Sequence, residues 1–372
     1  MLGFTPTSSD PRILRHVSAL LGDHDVVTMG TGPAPAGVAK HIELPGSAHH
    51  LPRTPAGLAA LATRRYRVAY RHVPIVNAIR ACAPNPGDFD VIVANDLITL
   101  PVALEFAGGK PVVADMHEYE PRQFEELWQW RVALQGFYTY WCGESLHEAA
   151  AIITVAPGIA REYERVFGVR CAVVMNAAPF VDRAPNPTGD VVKVVHSGQA
   201  MVSRHIHTMI EAAAGLPGAR LDLLLTTTTQ GARYLQRLRR QAARTTNVRV
   251  LDPVPMHELN DTLAGYDIGL SVLYPSSFNI LHALPNKFFD FIQARLGLVV
   301  GPSPEMATIV REHDLGSVAA DFDAGAIRNC LEQLTPARVD TWKAATHQSA
   351  RTLSAEQQAI TFRQVIASVL EA

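Results

Sequence analysis

Cysteine is scarce and scattered. Cys82, Cys142, Cys171 and Cys330 lie far apart in 372 residues and form no C-x-x-C pair. That excludes a disulfide scaffold and a zinc knuckle, and it fits a reducing compartment. Charge is also low, at 18% of residues, while 48% are hydrophobic. A disordered chain is excluded, and there is material for a sizeable core. The formal net charge of −2 gives no basic excess, so nucleic acid is not an expected partner. No apolar run approaches ~18 residues, so no membrane span is expected. The opening MLGFTPTSSDPR lacks the charged-then-apolar layout of a signal peptide. The expected location is cytoplasmic, with room for peripheral contact at the inner membrane face. Lysine is rare, 5 against 28 arginines, which gives each lysine more weight.

What is present is a recurrent pattern of a short apolar run, a turn and a helical segment. This alternation predicts parallel sheets covered by helices, an α/β fold. In the first half, strands are expected at 24–29, 89–94, 111–116, 151–156 and 171–175. Ile13, Leu14, Val17, Leu20 and Leu21 share one helical face. Asp10 is placed to cap that helix, Pro11 to open it and Gly22 to stop it. The run AAPFVDRAPNPTGD at 177–190 breaks the rhythm and reads as a linker. Strands then resume at 191–198, 219–225, 248–251, 267–273 and 296–301, and Ile206, Met209, Ile210 and Ala213 share a helical face. Two Rossmann-like domains facing across a cleft follow from this layout. The division is 1–178, a linker at 179–190, a second domain at 191–352 and a C-terminal helix at 353–372.

Several motifs have plainer roles. Gly30-Thr-Gly32 with Gly37 has the wrong spacing for a dinucleotide fingerprint and reads as a loop, which disfavours a nicotinamide dehydrogenase. Asp88-Phe-Asp90 and Asp321-Phe-Asp323 match D-x-D, yet their contexts favour turns and caps, so no metal site is expected. H-E-x-x-H is absent, since His117-Glu118 continues as Tyr119-Glu120. Aromatics concentrate at 121–148, readable as core or as a surface for lipid or acceptor. Arg64, Arg65, Arg67 and Arg71 read either as a solvated face or as a meeting point for anionic lipid.

Leu284-Pro285-Asn286-Lys287-Phe288-Phe289-Asp290 predicts a helix whose first turn carries Lys287. A cation is disfavoured there unless an anion offsets it, and a diphosphate does so. Asp290 could accept from a ribose diol. A solvent-facing lysine paired with Asp290 stays open on the residues alone. Gly198 followed by Arg204 offers a second phosphate element. His117, at a strand end, reads as a cleft residue or as a structural histidine.

In this order the pieces resemble the family-4 retaining glycosyltransferases of GT-B fold, in their LPNK-containing bacterial subgroup. The carriers are SSDPRILRHVSALL, DVIVANDLITLPVAL, PVVADMHEYEP, VVHSGQAMVSRHIHTMIEA and ALPNKFFDFIQARLGLVVGPSPEMATIV. They are collinear and span nearly the whole chain. The resemblance implies a nucleotide-sugar donor, with a UDP-sugar favoured, and an acceptor hydroxyl on a saccharide, lipid-linked or small molecule. It implies no cofactor and no metal. It places Gly198, Arg204, Val254, Asn286, Lys287 and Asp290 on the donor. It assigns catalysis to His117, Arg204 and Lys287, and marks Arg12, Asp96 and Glu118 as candidate acceptor-side residues. Two positions depart from the family pattern: His282 stands where the family has an acid, and Gln199 where it often has arginine. A GT-B-like nucleotide-sugar epimerase and a catalytically silent binding subunit are the competing functions. The terminal helix is expected to return to the first domain, giving a two-strand hinge that closes on the donor.

Overall fold

A computed structural model describes residues 1–46, 48–229 and 231–371. The chain forms two units. The first comprises Met1–Met175, Ser277–Asn279 and Gln358–Ala372. Its sheet has seven parallel strands: β1 (Leu2–Pro6), β2 (Val27–Thr31), β3 (Lys40–Leu44), β4 (Ile92–Asn95), β5 (Val112–Met116), β6 (Ala151–Thr154) and β7 (Ala172–Val173). Their order is β3-β2-β1-β4-β5-β6-β7, so the order reverses between β1 and β4.

The second unit comprises Asn176–Ser276 and Ile280–Gln357. It carries β8 (Val192–Gln199), β9 (Ala219–Thr226), β10 (Val248–Leu251), β11 (Ile268–Ser271), β12 (Gly297–Val300) and β13 (Gly316–Val318). These six parallel strands are ordered β10-β9-β8-β11-β12-β13, with the reversal between β8 and β11. In open sheets of this kind ligands bind outside the strands' carboxyl ends at the reversal. The relevant residues are therefore those that follow β1 and β4, with β5 next to β4, and those that follow β8 and β11.

Local chemistry explains the elements. The helix Pro11–Leu20 starts where Asp10 accepts from the backbone N–H of Arg12 (2.9 Å) and Ile13 (3.2 Å). It ends before Gly22, which takes φ 98°. Its face of Ile13, Val17 and Leu20 packs with Val93, Val113 and Ile153 of the sheet and with Phe362, Ile366 and Val369 of the helix Ala355–Leu370. In the second unit Val192, Val194, Leu221, Leu223 and Leu225 meet Ile206, Met209 and Ile210.

The structure corrects several expectations. Gly30 and Thr31 lie inside β2 rather than in a loop, because β2 begins at Val27 and runs to Thr31. The expected strand at 171–175 shrinks to two residues at the sheet edge. β3 and β13, both short edge strands, carry no strong apolar run and escaped sequence reading. The segment expected as a linker is not a free spacer. The unit boundary falls after Met175, and residues beyond it are bonded within the second unit. Phe180 N–H donates to Glu356 (2.9 Å) and Val181 N–H to Gln293 Oε1 (3.2 Å). Arg295 donates to the Val181 carbonyl (2.6 Å), and Thr188 N–H donates to Asp340 (2.9 Å). Backbone groups without ladder partners must find others, and here the neighbouring helices supply them.

Candidate active site

Asp115 and His117 come from the end of β5, and Asp96 follows β4. Asp115 is fully buried and is gripped by Arg12, whose Nε lies 2.9 Å and 2.8 Å from its two oxygens and whose Nη2 lies 2.6 Å from Oδ1. Arg12 Nη1 donates to the Val174 carbonyl (2.8 Å). Arg12, a candidate acceptor-side residue in the sequence reading, is thus 4% exposed and committed to Asp115 and the strand β7 end. It fixes the carboxylate that His117 faces. His117 Nε2 lies 3.4 Å from Asp115 Oδ2, and Nδ1 lies 3.4 Å from Asp96 Oδ1. His16 stands on the other side of Asp115 (3.2 Å) and stacks on Phe362 at 4.0 Å.

The electrostatics follow from burial and charge. Burial pushes Asp115 up, but Arg12 and His117 outweigh it and hold the carboxyl far below its usual range. Burial disfavours a charged His117, yet Asp96 and Asp115 together raise its pKa. Burial raises Asp96 despite His117. Glu118 is pushed up to about 7 by burial and by Asp96. Burial, Asp96 and Glu118 push Glu120 well above the usual range. Asp96 also holds φ 65°, a left-handed conformation costly for a residue with a Cβ. The result is an imidazole among carboxyl groups at a sheet reversal, suited to hydrogen-bonding hydroxyls. Asn279 joins this unit from far along the chain. It accepts from Tyr119 N–H (2.8 Å) and donates to the Tyr119 carbonyl (3.2 Å), which fixes the backbone just past Glu118.

The second cluster forms at the carboxyl end of β8. Gly198 has φ 149°, and a Cβ there would lie 2.5 Å from Lys287 Nζ. Glycine therefore makes room for the lysine. Lys287 is the second residue of the helix Asn286–Gln293, whose cap, Pro285, makes no side-chain capping bond. Its pKa is pushed down to about 7 by burial and then by the charge of Arg204, with Asp290 opposing. Arg204 closes a short turn after β8. Next to it His205 takes φ 50° and stacks on Tyr274 at 4.2 Å. Asp290 lies one turn beyond Lys287. The structure therefore brings Gly198, Arg204, Lys287, Asn286 and Asp290 into one neighbourhood. Val254, half-buried between β10 and the helix Met256–Leu263, lies on a different connection of the same unit.

His282 Nδ1 lies 3.0 Å from both oxygens of buried Glu305. Neither partner's pairing was visible in sequence. The D-x-D aspartates take local roles. Asp88 accepts from Asn85 N–H (3.1 Å), and Asp323 caps the helix Ala324–Glu332 through Ala326 N–H (2.7 Å).

Two parallel sheets with flanking helices, each with its reversal, define a GT-B fold of two Rossmann-like domains. Solved structures share it across the whole chain. Sucrose-phosphate synthase of Thermosynechococcus elongatus matches with TM-score 0.73 at 14% identity, covering 100% of this chain and 98% of that one. The E. coli trehalose-6-phosphate protein bound with UDP-2-fluoro glucose matches with TM-score 0.69 at 12% identity and the same coverages. HepE of Anabaena, in complex with UDP and glucose, gives TM-score 0.65 at 15% identity, again covering 100% and 98%. No curated protein sequence matches the chain. Residues 12–182 match the model of Glycosyltransferase Family 4. The chain thus has the GT-B fold, and its residues 12–182 are similar to Glycosyltransferase Family 4.

Proposed function

We propose that the protein transfers a sugar, with retention of configuration, from a nucleotide sugar to an acceptor hydroxyl on a saccharide, lipid-linked or small molecule. The carrying observation is Lys287 Nζ over Gly198, with Arg204 in electrostatic reach. Metal-free transfer needs fixed positive charge where the leaving diphosphate gains negative charge, and these two cations with the helix start supply it. UDP is the favoured nucleotide, since two of the similar structures hold UDP or a UDP-sugar. His117, with Asp96 and Glu118, is assigned to the sugar and acceptor side. Asp290 is assigned to the ribose.

Calorimetry with UDP, GDP, ADP and TDP tests the reading. Binding of one nucleotide is expected, unchanged in EDTA. Asp290→Asn is expected to weaken it roughly 10- to 150-fold, the loss of a charge-assisted hydrogen bond of ~1.5–3 kcal/mol. No binding by any nucleotide would overturn the donor assignment, and loss of affinity in EDTA would overturn metal independence. Turnover of donor alone, giving an isomerised nucleotide sugar, would mark an epimerase instead.

No helix among the described residues is long and apolar enough to cross a membrane. Around the helix Trp128–Ala133, however, Phe124, Leu127, Trp128 (62% exposed) and Val132 (80% exposed) present apolar side chains to solvent. This supports peripheral contact with a lipid surface. Co-sedimentation with phosphatidylserine vesicles is expected, reduced several-fold in Trp128→Ala. Equal sedimentation of the two proteins would remove this contact.

A further inference from the structure

Lys287 is held by a residue that no sequence motif marks. Its Nζ lies 3.3 Å from His196 Nε2. His196 sits in β8, two residues before Gly198, so both face the same side of the strand. It is 2% exposed, and its Nδ1 lies 2.8 Å from the Leu270 carbonyl of β11. A carbonyl has no hydrogen to give, so Nδ1 carries the proton and Nε2 presents a lone pair. His196 can therefore only accept from the lysine amine.

We propose that His196 is the positioning residue for Lys287, a neutral acceptor that holds the amine beside Gly198, where the diphosphate arrives, without pairing off its charge. The inference rests on the reading that Lys287 meets a nucleoside diphosphate. A carboxylate in this position would hold the lysine equally well, but it would compete with the incoming anion. An apolar residue would leave a flexible side chain free to turn away. Imidazole avoids both, and burial together with Lys287 keeps it neutral. The groups acting on Lys287 are His196 of β8, Arg204 of the turn after β8 and Asp290 of its own helix. Lys287 and Arg204 are cationic groups set close together before any ligand is bound, and burial adds to the cost of charging the amine. The empty site therefore holds Lys287 partly deprotonated near neutral pH. A diphosphate favours the ammonium, so anion and proton bind together. Affinity is then full below pH 7 and declines as pH rises, by up to about tenfold per pH unit.

The test is UDP calorimetry between pH 7.5 and 9, in pairs of buffers with different ionisation heats, on wild type, His196→Gln, His196→Leu and Lys287→Met. The terminal phosphate of UDP is ionised over this range, and the Lys287→Met variant subtracts the onset of uracil imide ionisation near pH 9, so the remaining slope belongs to Lys287. Wild type is expected to take up a proton on binding and to weaken with rising pH. His196→Gln, which keeps an acceptor, should retain both within about threefold. His196→Leu should lose about tenfold in affinity, the worth of one oriented hydrogen bond, and flatten the pH slope. Lys287→Met should abolish proton uptake. Wild-type affinity and slope in His196→Leu would overturn the positioning role. Proton uptake surviving in Lys287→Met would overturn it too, and this control does not depend on how the His196 variants fold. Failure of wild type to bind any nucleotide would instead defeat the donor assignment.

Discussion

Replacing Lys287 by alanine lowers turnover on the order of 10²-fold or more, and weakens nucleoside diphosphate binding by less. The reason is where the charge develops. The diphosphate leaves with more negative charge than it carries in the bound donor, so a fixed cation helps the transition state most. Lys287 is half-buried, so its field is less screened than that of an exposed lysine. Arg204→Ala is expected to follow the same pattern. Steady-state kinetics on the donor, set beside calorimetry with free UDP, separates the two effects. Near-normal turnover with a raised donor KM would mark uniform binding and refute the leaving-group role.

His117→Ala leaves nucleoside diphosphate affinity intact and lowers transfer on the order of 10²-fold. Free nucleotide lacks the sugar, and His117 belongs to the other unit from Lys287. The imidazole is oriented between Asp96 and Asp115, so it is presented ready-made to a hydroxyl. A structural histidine makes a different forecast, a lower Tm and a parallel loss of every function. There is a pH signature as well. The folded-state pKa of His117 is raised, so its contribution to stability is full below the unfolded value near 6.5 and is lost as pH rises through the folded value. The variant should lose that part of the pH dependence of Tm. Nucleotide affinity, Tm and turnover measured on one preparation decide the matter. Unchanged turnover would take His117 out of the site.

How much of this was legible in the sequence depends on the range of the interaction. Strand and helix patterns are local, and the two sheets followed from them, apart from weak edges such as β3 and β13. Lys287 stands out as a cation in a helix's first turn, a local anomaly, yet the residues alone left a solvent-facing lysine open and only the family resemblance favoured the donor. Arg12, a candidate acceptor-side residue, is instead taken up by Asp115, a partner 103 residues away that local pattern does not reveal. Asn279, which fixes the Tyr119 backbone from 160 residues away, gave no signal at all. The His282–Glu305 pair spans 23 residues and likewise had no pattern. His196 had a faint one. Two-residue periodicity puts it on the face of Gly198, yet a buried histidine in a strand usually only packs. Its importance rests on Lys287, which reaches it from 91 residues along the chain.

The return of the helix Ala355–Leu370 to the first unit bears on how the molecule is made. A ribosome emits the first sheet early, but Phe362, Ile366 and Val369 belong to that sheet's core. Until they emerge, Ile13, Val17 and Leu20 lack part of their cover, and His16 lacks the ring it stacks on. The second unit can condense around its own core meanwhile. Order of synthesis and order of core completion are thus inverted for the two units. A nascent chain can therefore complete the core of its second unit before that of its first, which waits for Phe362, Ile366 and Val369 to emerge.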